Sequence, residues 1–187
     1  GLGEVVKFNI MAGEHGLKNI EDNIDRLLAR DEDCLKQFVY SSLEFKKGFI
    51  EVDEFDRGER IKLNFAHTFG HAIETVTGYE IPHGTAVAIG MIMANRVAER
   101  RGMLDSEIAR RSEKVLLRVI HIGIDLNEYP LERFISAMRK DKKQTSEHLT
   151  AVLMTNVAKD LKIVHDVQIE EVADARDYFE QLYHAQA

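Results

Sequence analysis

The sequence predicts a mainly α-helical domain with a small β element, and three observations support that prediction. The 187-residue chain is 44% apolar, enough for one core that buries roughly 70% of the surface of the unfolded chain. Glycine and proline are sparse, at 12 and 2 residues, which disfavours a strand-rich sandwich. Apolar residues recur at helical spacing along most of the chain. We therefore expect a single helical domain over residues 1–187.

Helical spacing and loop composition define the first elements. Apolar residues three and four apart predict a helix from Leu17 to about Leu28 and a second from Asp31 to about Asp53. Charged residues and a glycine at 54–59 predict a loop. A third helix is predicted from Arg60 to about Thr77, because Gly78 follows and glycine is common just past a helix C-terminus.

The second half of the chain follows the same rules. An apolar helix is predicted over Thr85–Arg101, ended by Gly102. The next helix begins at Asp105 or Ser106, since either residue is a favourable N-cap. This helix is predicted to end near His121. The elements predicted after it are a short helix over Leu131–Lys140, strands over Leu149–Met154 and Leu161–Val164, and a helix over Ile169–Tyr183.

Composition excludes several classes of protein. The net charge of -7 argues against a nucleic-acid partner. The longest apolar stretch, Ala86–Ala94, is shorter than the roughly 18 residues of a membrane span, so no membrane partner is expected. The single cysteine, Cys34, cannot form an internal disulfide and favours a reducing compartment. We therefore predict a cytoplasmic protein.

The predicted third helix has a polar stripe. Five polar side chains, spaced four, three, four and three residues apart, fall on one face: Arg60, Asn64, His67, His71 and Glu74. Both flanks of the stripe are apolar, which predicts that the stripe is buried or lines a cavity. Buried ionisable groups are costly unless they are paired or bound to metal, so the pattern predicts a site. The alternative is a solvent-facing stripe on an ordinary amphipathic helix.

Histidine spacing indicates a metal. His67 and His71 stand at i and i+4, which is a common spacing for a metal pair, but Thr68 replaces the glutamate of metalloproteases. His83, between Pro82 and Gly84, lies on a loop long enough to fold back and offer a third imidazole. Two histidines with a carboxylate would leave one zinc position open, which is the catalytic arrangement.

The central sequence resembles the signature of the 3-dehydroquinate synthase family of sugar phosphate cyclases. The resemblance rests on Leu63–Glu74 (LNFAHTFGHAIE), on His83-Gly84 and on Ala86–Met91 (AVAIGM). Gly1–Lys7 resembles the opening of the C-terminal domain of that family, and Asp141–Lys143 resembles its late Asp-Lys-Lys element. The resemblance therefore spans almost the whole chain.

The resemblance implies a multihelical C-terminal metal- and substrate-binding domain that follows an N-terminal NAD-binding domain. That N-terminal domain is expected to be absent from this chain, which has no Gly-x-Gly-x-x-Gly opening. The implied partners are this domain, a phosphorylated sugar acid and a second copy in a homodimer, and the fragment alone is expected to be inactive. The implied metal ligands are Glu4, His67 and His83, and the metal is a divalent ion, usually zinc and alternatively cobalt. The other implied site residues are His71, Lys46 and Asp56 for catalysis, and Arg60, Asn64, Lys142 and Lys7 for substrate binding.

The implied activity is a phosphate-eliminating lyase of the shikimate pathway. It converts 3-deoxy-arabino-heptulosonate 7-phosphate to 3-dehydroquinate through transient oxidation by NAD, phosphate elimination, reduction and an intramolecular aldol reaction. Three departures from the family pattern leave the identity of the substrate open. Phe65-Ala66 stands where the family commonly has Leu-Gly or a similar pair. Thr85 follows His83-Gly84 where the family commonly has Glu, and Asp56 stands where Glu is usual. The alternatives are a cyclase that makes 2-deoxy-scyllo-inosose or epi-valiolone, and a non-catalytic metal-binding domain.

Overall fold

Helices dominate the computed structural model, which describes residues 1–55, 58–140, 148–156 and 160–185. In chain order the elements are α1 (Leu2–Met11), α2 (Glu14–Leu28), α3 (Glu32–Val52), a first 3₁₀ helix (Glu59–Asn64), α4 (His67–Val76), α5 (His83–Arg100), α6 (Ser106–Leu117), a second 3₁₀ helix (Leu126–Glu128), α7 (Leu131–Arg139), β1 (Leu149–Leu153), β2 (Lys162–Val167) and α8 (Ile169–His184). This architecture confirms the predicted fold class, mainly α with a small β element.

The core is built around α5. Its apolar residues are buried on every face, and α1, α4, α6 and α8 pack around it. A helix that is apolar all round is stable only when other elements cover it completely. At 18 residues α5 is also the longest apolar helix, yet no described helix is long and apolar enough to cross a membrane.

The two strands form an antiparallel hairpin beside this helical core. Leu149 pairs with Val167 and Leu153 with Lys162, with one irregularity near the start of β1. Every residue of β1 is buried, whereas β2 is largely exposed. The hairpin is linked to α4 by Thr68, whose hydroxyl donates to the Thr150 carbonyl at 3.4 Å.

Two glycines let the starts of α1 and α4 approach α5 closely. A Cβ at Gly90 of α5 would lie 2.5 Å from the Ala66 carbonyl oxygen, just before α4. A Cβ at Gly3 of α1 would overlap the carbonyl oxygen of Gly84 on α5. Because neither glycine has a side chain, the starts of α1 and α4 both lie directly against α5.

The prediction of one helix from Arg60 to about Thr77 is wrong. Residues 59–64 form a 3₁₀ helix, and α4 begins only at His67. Ala66 between them has a φ of +70°, in the left-handed region that cannot continue a right-handed helix. The five polar residues of the predicted stripe are therefore divided between the 3₁₀ helix and α4.

Other differences concern boundaries and short elements. Helix α1 was not predicted from apolar spacing, and the short 3₁₀ helix at Leu126–Glu128 was not predicted either. Helix α5 begins at His83 rather than Thr85, because Pro82 takes the N-cap position. Helix α6 ends at Leu117 instead of near His121, and β2 continues to Val167.

Candidate metal centre

Three side chains meet where α1, α4 and α5 begin. Glu4 lies in the first turn of α1, while His67 and His83 are the first residues of α4 and α5. The Glu4 Oε1 atom lies 3.3 Å from His67 Nε2 and 3.4 Å from His83 Nε2. Neighbouring ligand atoms on a tetrahedral zinc ion are about 3.3 Å apart, given metal–ligand bonds near 2.0–2.1 Å. The structure thus brings together the three residues expected as metal ligands.

The second polar atom of each of these side chains has its own partner. His67 Nδ1 lies 3.1 Å from the Phe65 carbonyl oxygen, to which it can donate. His83 Nδ1 lies 3.0 Å from Glu74 Oε1. Glu4 Oε2 lies 2.9 Å from the ammonium of Lys7. These contacts leave the two Nε2 atoms and Glu4 Oε1 directed at one another.

Glu4 Oε1 provides a test of whether the residues fit a divalent metal. This oxygen is buried, and no described residue gives it a hydrogen bond. A buried carboxylate oxygen without a donor is costly, and such atoms in native proteins usually have an ion or a water as partner. Two imidazole nitrogens and one carboxylate oxygen form a zinc-binding set that leaves a fourth position open. The site therefore fits a divalent cation.

The ionisation states of the ligands also suit a metal. Burial, reinforced by the nearby Lys7 charge, lowers the pKa of His67 to about 4, so its imidazole is neutral near pH 7. Burial alone would raise the pKa of Glu4, but the attraction and hydrogen bond of Lys7 outweigh it and hold this pKa below its usual value. Metal ligands must be neutral imidazoles and ionised carboxylates, and both residues meet that requirement.

Lys7 lies inside the protein beside the ligands. Only 1% of the residue is exposed, and its ammonium contacts the Leu63 carbonyl oxygen at 3.0 Å as well as Glu4. It thus links α1 to the segment that leads into α4. Substrate binding by Lys7 stays a prediction. Its ammonium lies 3.5 Å from His67 Nδ1 and 4.4 Å from the centroid of the Phe8 ring, in addition to its contacts with Glu4 and Leu63.

His71 lies beside the three ligands on the exposed face of α4. Its ring centroid is 5.3 Å from that of His67 and 6.4 Å from that of His83. Its nitrogen atoms do not belong to the group formed by Glu4, His67 and His83. The position allows His71 to face a ligand bound at the metal.

The predicted substrate-binding residues lie on neighbouring elements. Lys46 is exposed on α3, which packs against the first 3₁₀ helix. Arg60 is the second residue of that 3₁₀ helix and Asn64 is its last. Arg60 Nη1 donates to the Glu54 carbonyl at 2.9 Å, and Asn64 Nδ2 donates to the Ile61 carbonyl at 2.8 Å. The predictions for Asp56 and Lys142 fall outside the described residues.

The residue pattern alone did not indicate two features of this region. Asp53, just after α3, accepts hydrogen bonds at Oδ2 from the backbone amides of Gly58 and Arg60, at 2.7 and 3.1 Å, and so fixes the start of the 3₁₀ helix. Lys7 stands three residues after Glu4, a helical spacing that suggests an ion pair but does not show that the pair is buried.

Comparison with known proteins decides the family. The model of the 3-dehydroquinate synthase C-terminal family matches residues 1–144. The chain belongs to this family. Curated 3-dehydroquinate synthases from Acinetobacter baumannii and Geobacter metallireducens are 38% and 34% identical to it over 176 and 175 residues. These alignments cover 94% and 93% of the chain but 48% of each relative, so the chain spans about half the length of the curated relatives it matches.

Solved structures of sugar phosphate cyclases share the fold of this family member. A 2-epi-5-epi-valiolone synthase from Streptomyces hygroscopicus, solved with NAD+ and Zn2+ bound, superposes with a TM-score of 0.78 at 18% identity, covering 96% of this chain and 50% of that one. A 2-deoxy-scyllo-inosose synthase, complexed with carbaglucose-6-phosphate, NAD+ and Co2+, gives a TM-score of 0.64 at 20% identity, covering 76% and 41%.

Proposed function

We propose that this chain is the metal- and substrate-binding part of a 3-dehydroquinate synthase. In this proposal the full-length protein converts 3-deoxy-arabino-heptulosonate 7-phosphate to 3-dehydroquinate and phosphate, in the shikimate pathway of the cytoplasm. The observation on which the proposal depends is the convergence of Glu4 Oε1, His67 Nε2 and His83 Nε2 within 3.4 Å of the carboxylate oxygen. The 34–38% identity to curated synthases supports this particular substrate.

Glu4, His67 and His83 would hold a divalent metal, either zinc or cobalt. When bound, the metal would act as a Lewis acid toward adjacent substrate hydroxyls and make them easier to deprotonate. Lys7 keeps Glu4 ionised and holds its Oε2 atom, so that Oε1 remains available as a ligand. The Phe65 carbonyl oxygen would accept a hydrogen bond from His67 Nδ1, so that Nε2 of His67 remains available as a ligand.

The other predicted site residues would bind a multiply anionic substrate. Lys46, Arg60 and Lys142 would supply positive charge to its carboxylate and phosphate, and a guanidinium suits such groups because it can donate two parallel hydrogen bonds. Asn64 would add an amide donor. Lys7, which is buried beside Glu4, would add a further positive charge close to the substrate.

Proton transfer would fall to His71 and Asp56. His71 is exposed beside the ligands, with its ring 5.3 Å from that of His67, a position suited to proton transfer at the leaving phosphate. Asp56 would serve as a carboxylate acid or base. In the complete enzyme, an N-terminal domain would bind NAD, and the full-length protein would form a homodimer. Because NAD is regenerated in each turnover, the net change is loss of phosphate and ring closure.

The test is a substrate panel on the full-length protein. We expect phosphate release and 3-dehydroquinate from 3-deoxy-arabino-heptulosonate 7-phosphate, and no turnover of glucose 6-phosphate or sedoheptulose 7-phosphate. The related cyclases are the second candidate because their structures share this fold, at TM-scores of 0.78 and 0.64. Turnover of either alternative sugar phosphate, without turnover of the heptulosonate, would establish that candidate instead. Phosphate release by the 187-residue chain alone would contradict the need for an N-terminal partner.

A further inference from the structure

His83 is the most exposed of the three candidate ligands. Its side chain is 46% exposed, compared with 16% for His67 and 27% for Glu4. As the first residue of α5 it has no preceding helical turn to hold its ring in one rotamer. An exposed imidazole can rotate and exchange its proton between two nitrogens, so a defined ligand geometry requires a specific partner.

Glu74 supplies that partner. Its side chain is 13% exposed, and its Oε1 atom lies 3.0 Å from His83 Nδ1. A carboxylate oxygen accepts hydrogen bonds, so a proton on His83 Nδ1 satisfies this contact. Nε2, the atom that faces Glu4 Oε1 at 3.4 Å, is then the nitrogen directed at the metal position.

The position of Glu74 agrees with this role. It stands near the C-terminal end of α4, where a negative charge is unfavourable to the helix dipole. It lies next to the first residue of α5, however, where the helix dipole favours a negative charge. The interaction across the two helices therefore compensates for the unfavourable position within α4.

We infer that Glu74 is a positioning residue for the metal ligand His83. It favours a proton on Nδ1 of His83 and holds the orientation of the His83 ring. The inference rests on the metal centre of the proposed function. The residue does not itself belong to the group of metal-binding atoms formed by Glu4, His67 and His83. Its removal should weaken metal binding while leaving the ligand set complete.

The first experiment measures zinc affinity of the 187-residue chain by competition with a chromophoric chelator. Glu74→Gln should lower the affinity by about 10- to 100-fold, as is usual when a carboxylate partner of a histidine ligand is removed. Glutamine can donate as well as accept, so it no longer specifies the tautomer. Glu80→Gln, at an exposed carboxylate on the following loop, is the matched control and should leave the affinity unchanged. Equal zinc affinities for Glu74→Gln and the wild-type chain would overturn the inference.

The second experiment tests whether Glu74 acts through His83. In a His83→Ala background, Glu74→Gln should cause no further loss of zinc affinity. A loss of the same size in both backgrounds would show that Glu74 acts only as a general negative charge, and would overturn the positioning role.

The third experiment reads the tautomer directly, by long-range ¹H–¹⁵N correlation spectra of the metal-free chain. Nδ1 of His83 should carry a proton in the wild-type chain, and the proton occupancy of Nδ1 should fall in Glu74→Gln. A wild-type His83 whose proton lies on Nε2 alone would overturn the inference. This measurement does not require metal, so it decides the role of Glu74 even if the wild-type chain binds no zinc, a result that would count against the proposed function itself.

Discussion

His67 and His71 are one turn apart on α4, yet their surroundings differ. The His67 ring is largely buried, with Nδ1 held by the Phe65 carbonyl, whereas His71 is exposed beside it. A side chain that points into a cluster of ligand atoms suits metal binding, and a neighbouring exposed imidazole suits proton transfer. The two residues should therefore have separable functions.

Substitution of each histidine tests this separation in the full-length protein. We expect His67→Ala to lose bound zinc, because one of three protein ligands is removed. His71→Ala should keep its zinc and lose turnover by about 100-fold or more, the usual contribution of general acid–base catalysis. Metal content by atomic emission and phosphate release give the two readouts. Equal metal content in His67→Ala, His71→Ala and wild type would refute these assignments.

Glu4 shows what a single sequence can indicate at the residue scale. Among 32 acidic residues, nothing in the local pattern distinguishes Glu4, and only the resemblance of Gly1–Lys7 to a family motif indicated it. The predicted role of Glu4 as a metal ligand depends on its contacts with His67 and His83, which lie far away in sequence. Long-range contacts of this kind leave no local periodicity, so hydrophobic spacing could not predict them.

At the scale of elements, the sequence indicated long amphipathic helices well and the break before α4 poorly. The apolar spacing of α2 and α8 reports which face meets the core, and these helices lie where they were predicted. The interruption occurs at Ala66, where a non-glycine residue has a positive φ that its side-chain type does not predict. A helical residue pattern continues across that break, which explains why one helix was predicted from Arg60 to about Thr77.

The contact between α4 and α5 determines where His67 and His83 lie. A Cβ at Gly90 would come 2.5 Å from the Ala66 carbonyl oxygen and 2.9 Å from the Gly70 amide nitrogen, so Gly90→Ala should push the helices apart. We expect a loss of about 1–3 kcal/mol in the free energy of unfolding, as for overpacked cores, together with weaker zinc binding. Urea denaturation and chelator competition measure the two effects.

Gly48 in α3 offers the matched control for this substitution. It lies within a helix, and a Cβ there would have no heavy atom within 4 Å. Gly48→Ala should stabilise the protein by about 0.5–1 kcal/mol, because alanine has the higher helix propensity, and should leave zinc affinity unchanged. Equal effects of the two substitutions on stability would contradict a steric role for Gly90.

At the scale of the whole molecule, the site lies where three helices present their N-termini. The starts of α1, α4 and α5 each contribute partial positive charge, and Lys7 adds a full charge beneath them. The chain as a whole has a net charge of -7. The helix N-termini and Lys7 therefore place positive charge beside the Glu4 carboxylate although the molecule is acidic overall, which agrees with the anionic substrate proposed above.

Ion pairs between α5 and α8 should make the stability of the whole fold depend on pH. At the end of α5, Arg101 Nε and Nη2 donate to the two carboxylate oxygens of Glu171 on α8, each at 2.6 Å. These hydrogen bonds, opposed by partial burial, hold the pKa of Glu171 below its usual value of 4.5. Because the unfolded chain takes up this proton first, the stabilisation is present above pH 4.5 and is lost as the pH falls through the lowered pKa.

Glu171→Gln tests this pH dependence and preserves the second hydrogen bond that the Glu171 side chain makes. The Glu171 side chain also accepts from the Gln168 backbone amide at 2.9 Å in a capping box, which glutamine at the same position supports. We expect the variant to lose about 0.5–1 kcal/mol of unfolding free energy near pH 7, discounted for the partial exposure of the pair. The difference from wild type should shrink as the pH is lowered to about 3. Urea denaturation across this range measures it, with the exposed neighbour Glu170→Gln as control. A deficit that stays constant with pH would show that the Arg101–Glu171 contact does not contribute through the charge of Glu171.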